Sequence, residues 1–124
     1  MSARKKALLI DDDSAVTDYL QLKLGATFDV VALNDSTQAL SVARRERPDV
    51  IVCDIDMPAM DGGDVCRALA DAAETRDIPF LYLTSIVSRE ESDVLDGQIG
   101  GRPGVSKHAT IEDIVARIQA VMAR

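Results

Sequence analysis

The sequence has little of what small metal-thiolate or redox proteins depend on. It holds two cysteines and one histidine in 124 residues. Cys53 and Cys66 lie inside apolar segments without metal-ligand spacing, which argues against both a zinc-thiolate site and a disulfide framework. No apolar run approaches the ~20 residues that cross a bilayer, and nothing near Met1 has the pattern of a signal peptide. A cytoplasmic protein with reduced thiols is expected. Positive charge is also short: the formal net charge is −7, whereas a nucleic-acid backbone or an anionic membrane is bound by clustered Lys and Arg. The glycines at 100, 101 and 104 match neither nucleotide-binding spacing. No repeat, low-complexity tract or linker is present. At this length, with 47% hydrophobic content, one domain over residues 1–124 with an ordinary core is expected.

What is present is an alternation of short apolar runs and helical patterns. Ala7 to Ile10 is continuously apolar and stops at Asp11, Asp12 and Asp13. Ser14 then offers an N-cap, and Val16, Tyr19, Leu20 and Leu24 recur at helical spacing before Gly25. Phe28 to Leu33 reads as a second strand, and Asn34, Asp35 and Ser36 supply turn and cap chemistry for a helix carrying Ala39, Leu40 and Ala43. That helix should end near Arg47, because Pro48 disfavours helical backbone in the residue before it. Val50 to Cys53, too short for a buried helix and rich in β-branched residues, reads as a buried strand ending in Asp54, with Asp56 and Pro58 following.

After a loop through Asp61, Gly62 and Gly63, a third helix should bury Val65, Cys66, Leu69 and Ala73. Ile78 to Leu83 is a fourth strand ending in the hydroxyls of Thr84 and Ser85, with Pro79 near its start. Ser88 to Ile99 is the weakest helical segment, interrupted by Gly97. Residues 102–106 make a poor strand suited to an edge, ended by Lys107, and Thr110 caps a last helix with Ile111, Ile114, Val115, Ile118, Val121 and Met122 on one stripe.

Five strand-then-helix units predict an α/β fold, a doubly wound parallel sheet flanked by five helices. In such a sheet the loops after the strands gather at one edge, where ligands bind. The residues brought there are Asp11 to Asp13, Asp54, Asp56, Thr84, Ser85 and Lys107. Carboxylates crowded together at neutral pH need a cation, since two of them about 4 Å apart repel by roughly 4 kcal/mol at an effective dielectric near 20. A hard divalent ion, Mg²⁺ by preference, suits two carboxylates plus a backbone carbonyl. A remaining carboxylate oxygen is then placed to attack a phosphoryl group, with Lys107 and the Thr84 hydroxyl in the right chemical class to meet its oxygens.

These residues carry a resemblance to the response-regulator receiver domain of bacterial two-component signalling, over essentially the whole chain. Leu8-Leu9-Ile10-Asp11-Asp12 resembles the family's acidic pair and Asp54 its phosphoaccepting aspartate. Met57-Pro58 with Asp61-Gly62 resembles the loop that follows, Thr84 the switch hydroxyl and Lys107 the family lysine. The resemblance implies a flavodoxin-like strand order of 2-1-3-4-5 and metal ligation by Asp12 directly and by Asp11 largely through water. It further implies that Asp54 is both ligand and nucleophile, and that the Asp56 carbonyl is a third protein ligand. It implies a phosphoryl donor, either a histidine kinase or a histidine phosphotransfer protein, and a downstream protein target or effector domain. Output would pass through a surface around the fourth helix, fifth strand and fifth helix, a homodimer being compatible with it. No direct nucleic-acid binding and no membrane contact are implied. Nor is enzymatic turnover, beyond self-phosphorylation from a donor and autodephosphorylation.

The plainer readings are these: Asp13 favours the helix dipole at a helix start, His108 is a loop residue, and Cys53 is a small buried hydrophobe. Rival functions are a receiver-fold adaptor with a non-standard switch and, through Asp54-Ile55-Asp56, a haloacid-dehalogenase-like phosphatase. The latter prefers Thr or Val where this chain has Pro58.

Three departures from the family pattern stand out. His108 replaces the proline that usually follows the lysine, so a trans link is expected there, a cis bond before a non-proline costing roughly 2.5 to 4 kcal/mol. Gly104 replaces the usual switch aromatic, and Tyr82, on the same strand face as Thr84, is the candidate to fill the space. Ile86 stands where the family tunes the lifetime of the acyl phosphate. Its side chain cannot hydrogen-bond an attacking water, so the phosphorylated chain is expected to decay slowly; a half-time of seconds for the purified phosphoprotein would contradict this.

Overall fold

Short runs of leucine and β-branched side chains form the centre of the protein as a parallel sheet. The computed structural model describes residues 4–85, 98–99 and 102–123. Its strands are β1 (Lys6–Ile10), β2 (Asp29–Leu33), β3 (Val50–Asp54), β4 (Phe80–Thr84), β5 (Gln98–Ile99) and β6 (Arg102–Ser106). Among the described residues the α-helices are α1 (Ser14–Leu24), α2 (Ala39–Glu46), α3 (Gly62–Ala70) and α4 (Ile111–Met122), with a 3-10 turn at Ser36–Gln38 leading into α2. Strands β2, β1, β3, β4 and β6 pair in parallel in that spatial order, which is the 2-1-3-4-5 order of a flavodoxin-like sheet.

Burial explains why the strands read as continuous apolar runs. All five residues of β3 are buried, because helices cover both faces of the sheet. On one face Leu9, Val52, Leu81 and Leu83 pack with Leu20 and Leu24 of α1 and Ile114 and Ile118 of α4. On the other, Leu8, Ile10, Ile51 and Tyr82 pack with Val42 of α2 and Val65 and Leu69 of α3. The period-two alternation of each strand is thus spent on two cores.

Several local expectations are corrected. Asp13, not Ser14, is the N-cap of α1, its side chain accepting from the Ala15 N–H at 2.9 Å. Tyr19 is exposed rather than on the buried stripe of α1, where Thr17 is buried instead. Helix α3 stops at Ala70, before its periodicity reaches Ala73, so Ala72 is buried and Ala73 exposed. The buried Thr75 hydroxyl donates to the Leu69 carbonyl at 2.6 Å and satisfies the end of that helix. Residues 98 and 99 pair antiparallel with β6, so the segment to Ile99 does not end as a helix and β6 is not the outermost strand. The rest of that expected helix, and Ile86 before it, lie outside the described residues. Helix α2 ends as anticipated, with Arg47 in left-handed backbone at φ 49° and its N–H on the Ala43 carbonyl.

Because β1, β3, β4 and β6 run parallel, their carboxyl ends meet at one edge of the sheet. There the chain leaving β3 must turn sharply into α3. A Cβ added to Gly62 would lie 2.6 Å from the Asp54 carbonyl oxygen and 2.9 Å from the Ile55 Cα, both backbone atoms with no room to yield. Gly62→Ala is therefore expected to lower stability by about 1 to 3 kcal/mol in urea unfolding, as overpacking does; an unchanged midpoint would show that this junction is slack.

Candidate functional site

The site is assembled from three loops that leave the sheet edge. After β6 the Lys107 N–H donates to the Thr84 carbonyl at 2.7 Å, extending the β4–β6 pairing by one residue and fixing where the lysine side chain begins. Its ammonium then reaches across the sheet edge to Asp11 Oδ2 at 2.8 Å and Asp54 Oδ1 at 3.1 Å. One cation is shared by carboxylates that end two other strands. Asp11 is fully buried and Asp54 nearly so.

The acidic loop after β1 is held by its own backbone. The Asp11 N–H continues the β1–β2 pairing onto the Leu33 carbonyl at 3.1 Å, and Asp11 Oδ1 accepts from the Asp13 N–H at 3.0 Å. Asn34, at the end of β2, donates through Nδ2 to the Asp11 carbonyl at 2.7 Å and to Thr17 Oγ1 at 2.9 Å. Turn and cap chemistry is all that the local sequence around Asn34 offers; its position one residue beyond a strand neighbouring β1 is the signal for this brace. With the loop braced, Asp12 is exposed beside the two buried carboxylates. One oxygen each from Asp11, Asp12 and Asp54 lies within 4.8 Å of the others.

Electrostatics at this edge favour a further cation. Burial would pull the Lys107 pKa down, but its pairing with Asp11 and Asp54 outweighs this and raises it, so the ammonium stays charged. Burial raises the Asp54 pKa; Lys107 opposes the rise and the neighbouring Asp11 charge adds to it. Three carboxylates thus face one ammonium. The excess of two negative charges, the small separation and the all-oxygen donor set fit a hard divalent ion such as Mg²⁺. The thiol of Cys53 donates to the Asp54 carbonyl at 3.3 Å and is pushed to a higher pKa by burial first and the Asp54 and Asp11 charges next, which keeps it protonated and unreactive.

The remaining sequence candidates take distinct places. Thr84 is the last residue of β4, half-buried, opposite Ser106 in register. The Asp56 side chain is exposed and is not among the three grouped carboxylates, so any ligand it offers comes from its backbone. Ser85 is exposed at the β4 terminus. The Lys107–His108 link is trans, as is every peptide bond among the described residues. Tyr82 pairs in register with Gly104 and belongs to the core on the α3 side of the sheet. Its ring meets Phe80 edge to face at 5.2 Å and reaches Gly62, where an added Cβ would be 3.1 Å from its Cε1. On the strand next to Gly104 there is therefore an aromatic, Tyr82.

Comparison with known proteins gives a consistent result. The family description "Response regulator receiver domain" matches residues 7–119. The DNA-binding response regulator MtrA of Mycolicibacterium paratuberculosis is 34% identical over 98% of this chain, and the response regulator MprA of Mycobacterium leprae is 36% identical over 96% of it. The chain spans about half the length of these relatives, 52% and 51% respectively. Among solved structures, the chemotaxis protein CheY4 of Vibrio cholerae superposes with a TM-score of 0.79 at 28% identity, covering 96% of this chain and 99% of that one.

The charge excess has a measurable consequence. Like charges about 4 Å apart repel by about 1 kcal/mol in bulk water and roughly 4 kcal/mol at an effective dielectric near 20, so Asp12→Ala, which removes the one exposed carboxylate from beside two buried ones, is expected to raise stability by about 1 kcal/mol or more in urea unfolding with EDTA present. The same substitution should shrink the extra stability that millimolar Mg²⁺ gives the natural chain. A variant less stable than the natural chain in EDTA would contradict the reading.

Proposed function

The chain belongs to the response regulator receiver domain family of two-component signalling, and we propose that it works as a phosphoacceptor in which Asp54 takes a phosphoryl group from a phosphohistidine donor. The observation that carries the proposal is the Lys107 ammonium shared between Asp11 and Asp54, with Asp12 in the same cluster. A carboxylate this buried is a poor place to leave a charge unless the charge is used.

In the transfer, one oxygen of Asp54 forms a bond to phosphorus as the donor's P–N bond breaks, and the bonding electron pair leaves with the donor imidazole. Lys107 holds its positive charge where negative charge gathers on the phosphoryl oxygens, and no proton has to leave it. Thr84, at the end of the adjoining strand, supplies the hydroxyl that receives a phosphoryl oxygen afterwards. Asp11, Asp12, Asp54 and the Asp56 carbonyl would hold Mg²⁺, which when bound would supply further positive charge for the transfer. Asp13 has no part in this; it caps α1.

The donor is a histidine kinase or a histidine phosphotransfer protein, and the readout is a changed protein-binding surface on residues 88–99, β6 and α4 that engages a downstream protein or effector domain. Residues 1–124 act as one receiver domain without direct nucleic-acid or membrane contact, and without substrate turnover. The name of MtrA describes a DNA-binding regulator, a property of that longer protein. Gly104 beside Tyr82, with His108 after the lysine, favours as second reading an adaptor with an altered relay.

Incubation with Mg²⁺ and a small acyl-phosphate donor, followed by intact mass measurement, tests the proposal. One phosphoryl mass should be added to the natural chain and none to Asp54→Asn. No adduct on the natural chain would overturn the acceptor reading in favour of the adaptor, and release of phosphate from unrelated phosphoesters would favour a phosphatase.

A further inference from the structure

The chain between Asp54 and α3 contains a strained turn whose tip, Pro58 and Ala59, stands clear of the core that Met57 and Met60 pack against. Ala59 has φ 67°, a left-handed conformation that a residue with a Cβ rarely adopts. The Met60 N–H donates to the Pro58 carbonyl at 2.7 Å across it, the i to i+2 pattern of a γ-turn, which at positive φ is rare and strained. Ala59 and Pro58 are both exposed, so packing of their side chains does not fix the turn. On its near side Met57 is anchored in the core, and on its far side the Gly62 N–H donates to the Ile55 carbonyl at 2.8 Å.

A residue 24 positions upstream in the chain supplies the missing grip. Ser36 opens the 3-10 turn before α2, where Asp35 caps the Thr37 N–H at 3.1 Å, and its side chain is almost fully buried. The Ser36 hydroxyl donates to the Met60 carbonyl at 2.8 Å and lies 3.5 Å from the Pro58 carbonyl. Both carbonyls that flank Ala59 are thus within reach of one hydroxyl. Of the three residues expected to supply turn and cap chemistry, Asn34, Asp35 and Ser36, it is Asp35 that caps, which leaves the Ser36 hydroxyl for Met60.

We propose that Ser36 is a positioning residue: its hydroxyl clamps the Pro58–Ala59–Met60 turn and through it sets the backbone of Asp56 for the divalent cation. The inference rests on the reading of this edge as a phosphoacceptor and metal site. It adds a residue that touches neither the phosphoryl group nor the ion. Loss of the hydroxyl frees the turn to relax out of positive φ, and the Asp56 carbonyl moves with it.

The test is a Mg²⁺ titration by isothermal calorimetry on the natural chain, Ser36→Ala, and Ser36→Ala combined with Ala59→Gly. Glycine takes positive φ without strain, so it should restore a turn that has lost its clamp, which a general loss of stability would not predict. The Mg²⁺ dissociation constant is expected to rise about tenfold in Ser36→Ala, in the range of residues that orient metal ligands, and to recover for the most part in the double variant. Equal affinity of Ser36→Ala and the natural chain would overturn the proposal, as would a weakened affinity that Ala59→Gly does not recover. The calorimetry does not depend on phosphoryl transfer, so a natural chain that binds Mg²⁺ but gains no phosphoryl mass would sink the acceptor reading and leave the clamp to stand on the titration.

Discussion

The Lys107 ammonium, held between Asp11 and Asp54, is the interaction around which this sheet edge is organised. It joins the ends of three strands that are not consecutive in the chain, and it can do so only because β1, β3, β4 and β6 are parallel and their carboxyl ends are level. The backbone bond from Lys107 to Thr84 sets the root of the side chain, and the braces from Leu33 and Asn34 set the acidic loop it reaches. Burial of such a group is not a source of stability in itself, since desolvation offsets most of the Coulomb attraction. What it provides is a carboxylate oxygen held without freedom to wander, in a cluster still two positive charges short.

That shortfall separates this edge from an ordinary structural ion pair. A balanced pair would leave nothing for a ligand to do. Here burial and the Asp11 charge push the Asp54 pKa up while the lysine works against them, so the site gains from any added positive charge. Under the proposed function, a divalent ion drawn in by that excess would join Lys107 in supplying the positive charge that a transferring phosphoryl group needs, since its oxygens carry the developing negative charge.

The strand pattern and the residues gathered at the sheet edge were legible in the sequence for a physical reason: a doubly covered parallel sheet makes its inner strands continuously apolar, so the polar residue that stops a run marks the carboxyl edge of the sheet. Asp11 and Asp54 each end such a run, while Lys107 follows a strand broken by Pro103 and Gly104. The strand order came from the family resemblance, because periodicity carries no information on which strands are neighbours. What stayed hidden was decided by contacts distant in the chain. Nothing local shows that Asn34 reaches back to the Asp11 carbonyl or that Ser36 reaches forward to Met60, and polar residues after a strand read alike whether they cap, turn or brace. Tyr19 misled because it keeps helical spacing with Leu20 and Leu24 yet falls on the outer side of α1. Gly104 was readable as a departure, but only the register shows that Tyr82 is its partner on the next strand.

Of the three clustered carboxylates, Asp54 is the one proposed as the nucleophile. Borohydride reduction of the chain after treatment with Mg²⁺ and an acyl-phosphate donor converts an aspartyl phosphate to homoserine, and peptide sequencing by mass spectrometry then locates it. Homoserine at position 54 alone is predicted; homoserine at position 11 or 12, or at none of the three, would contradict the assignment of Asp54.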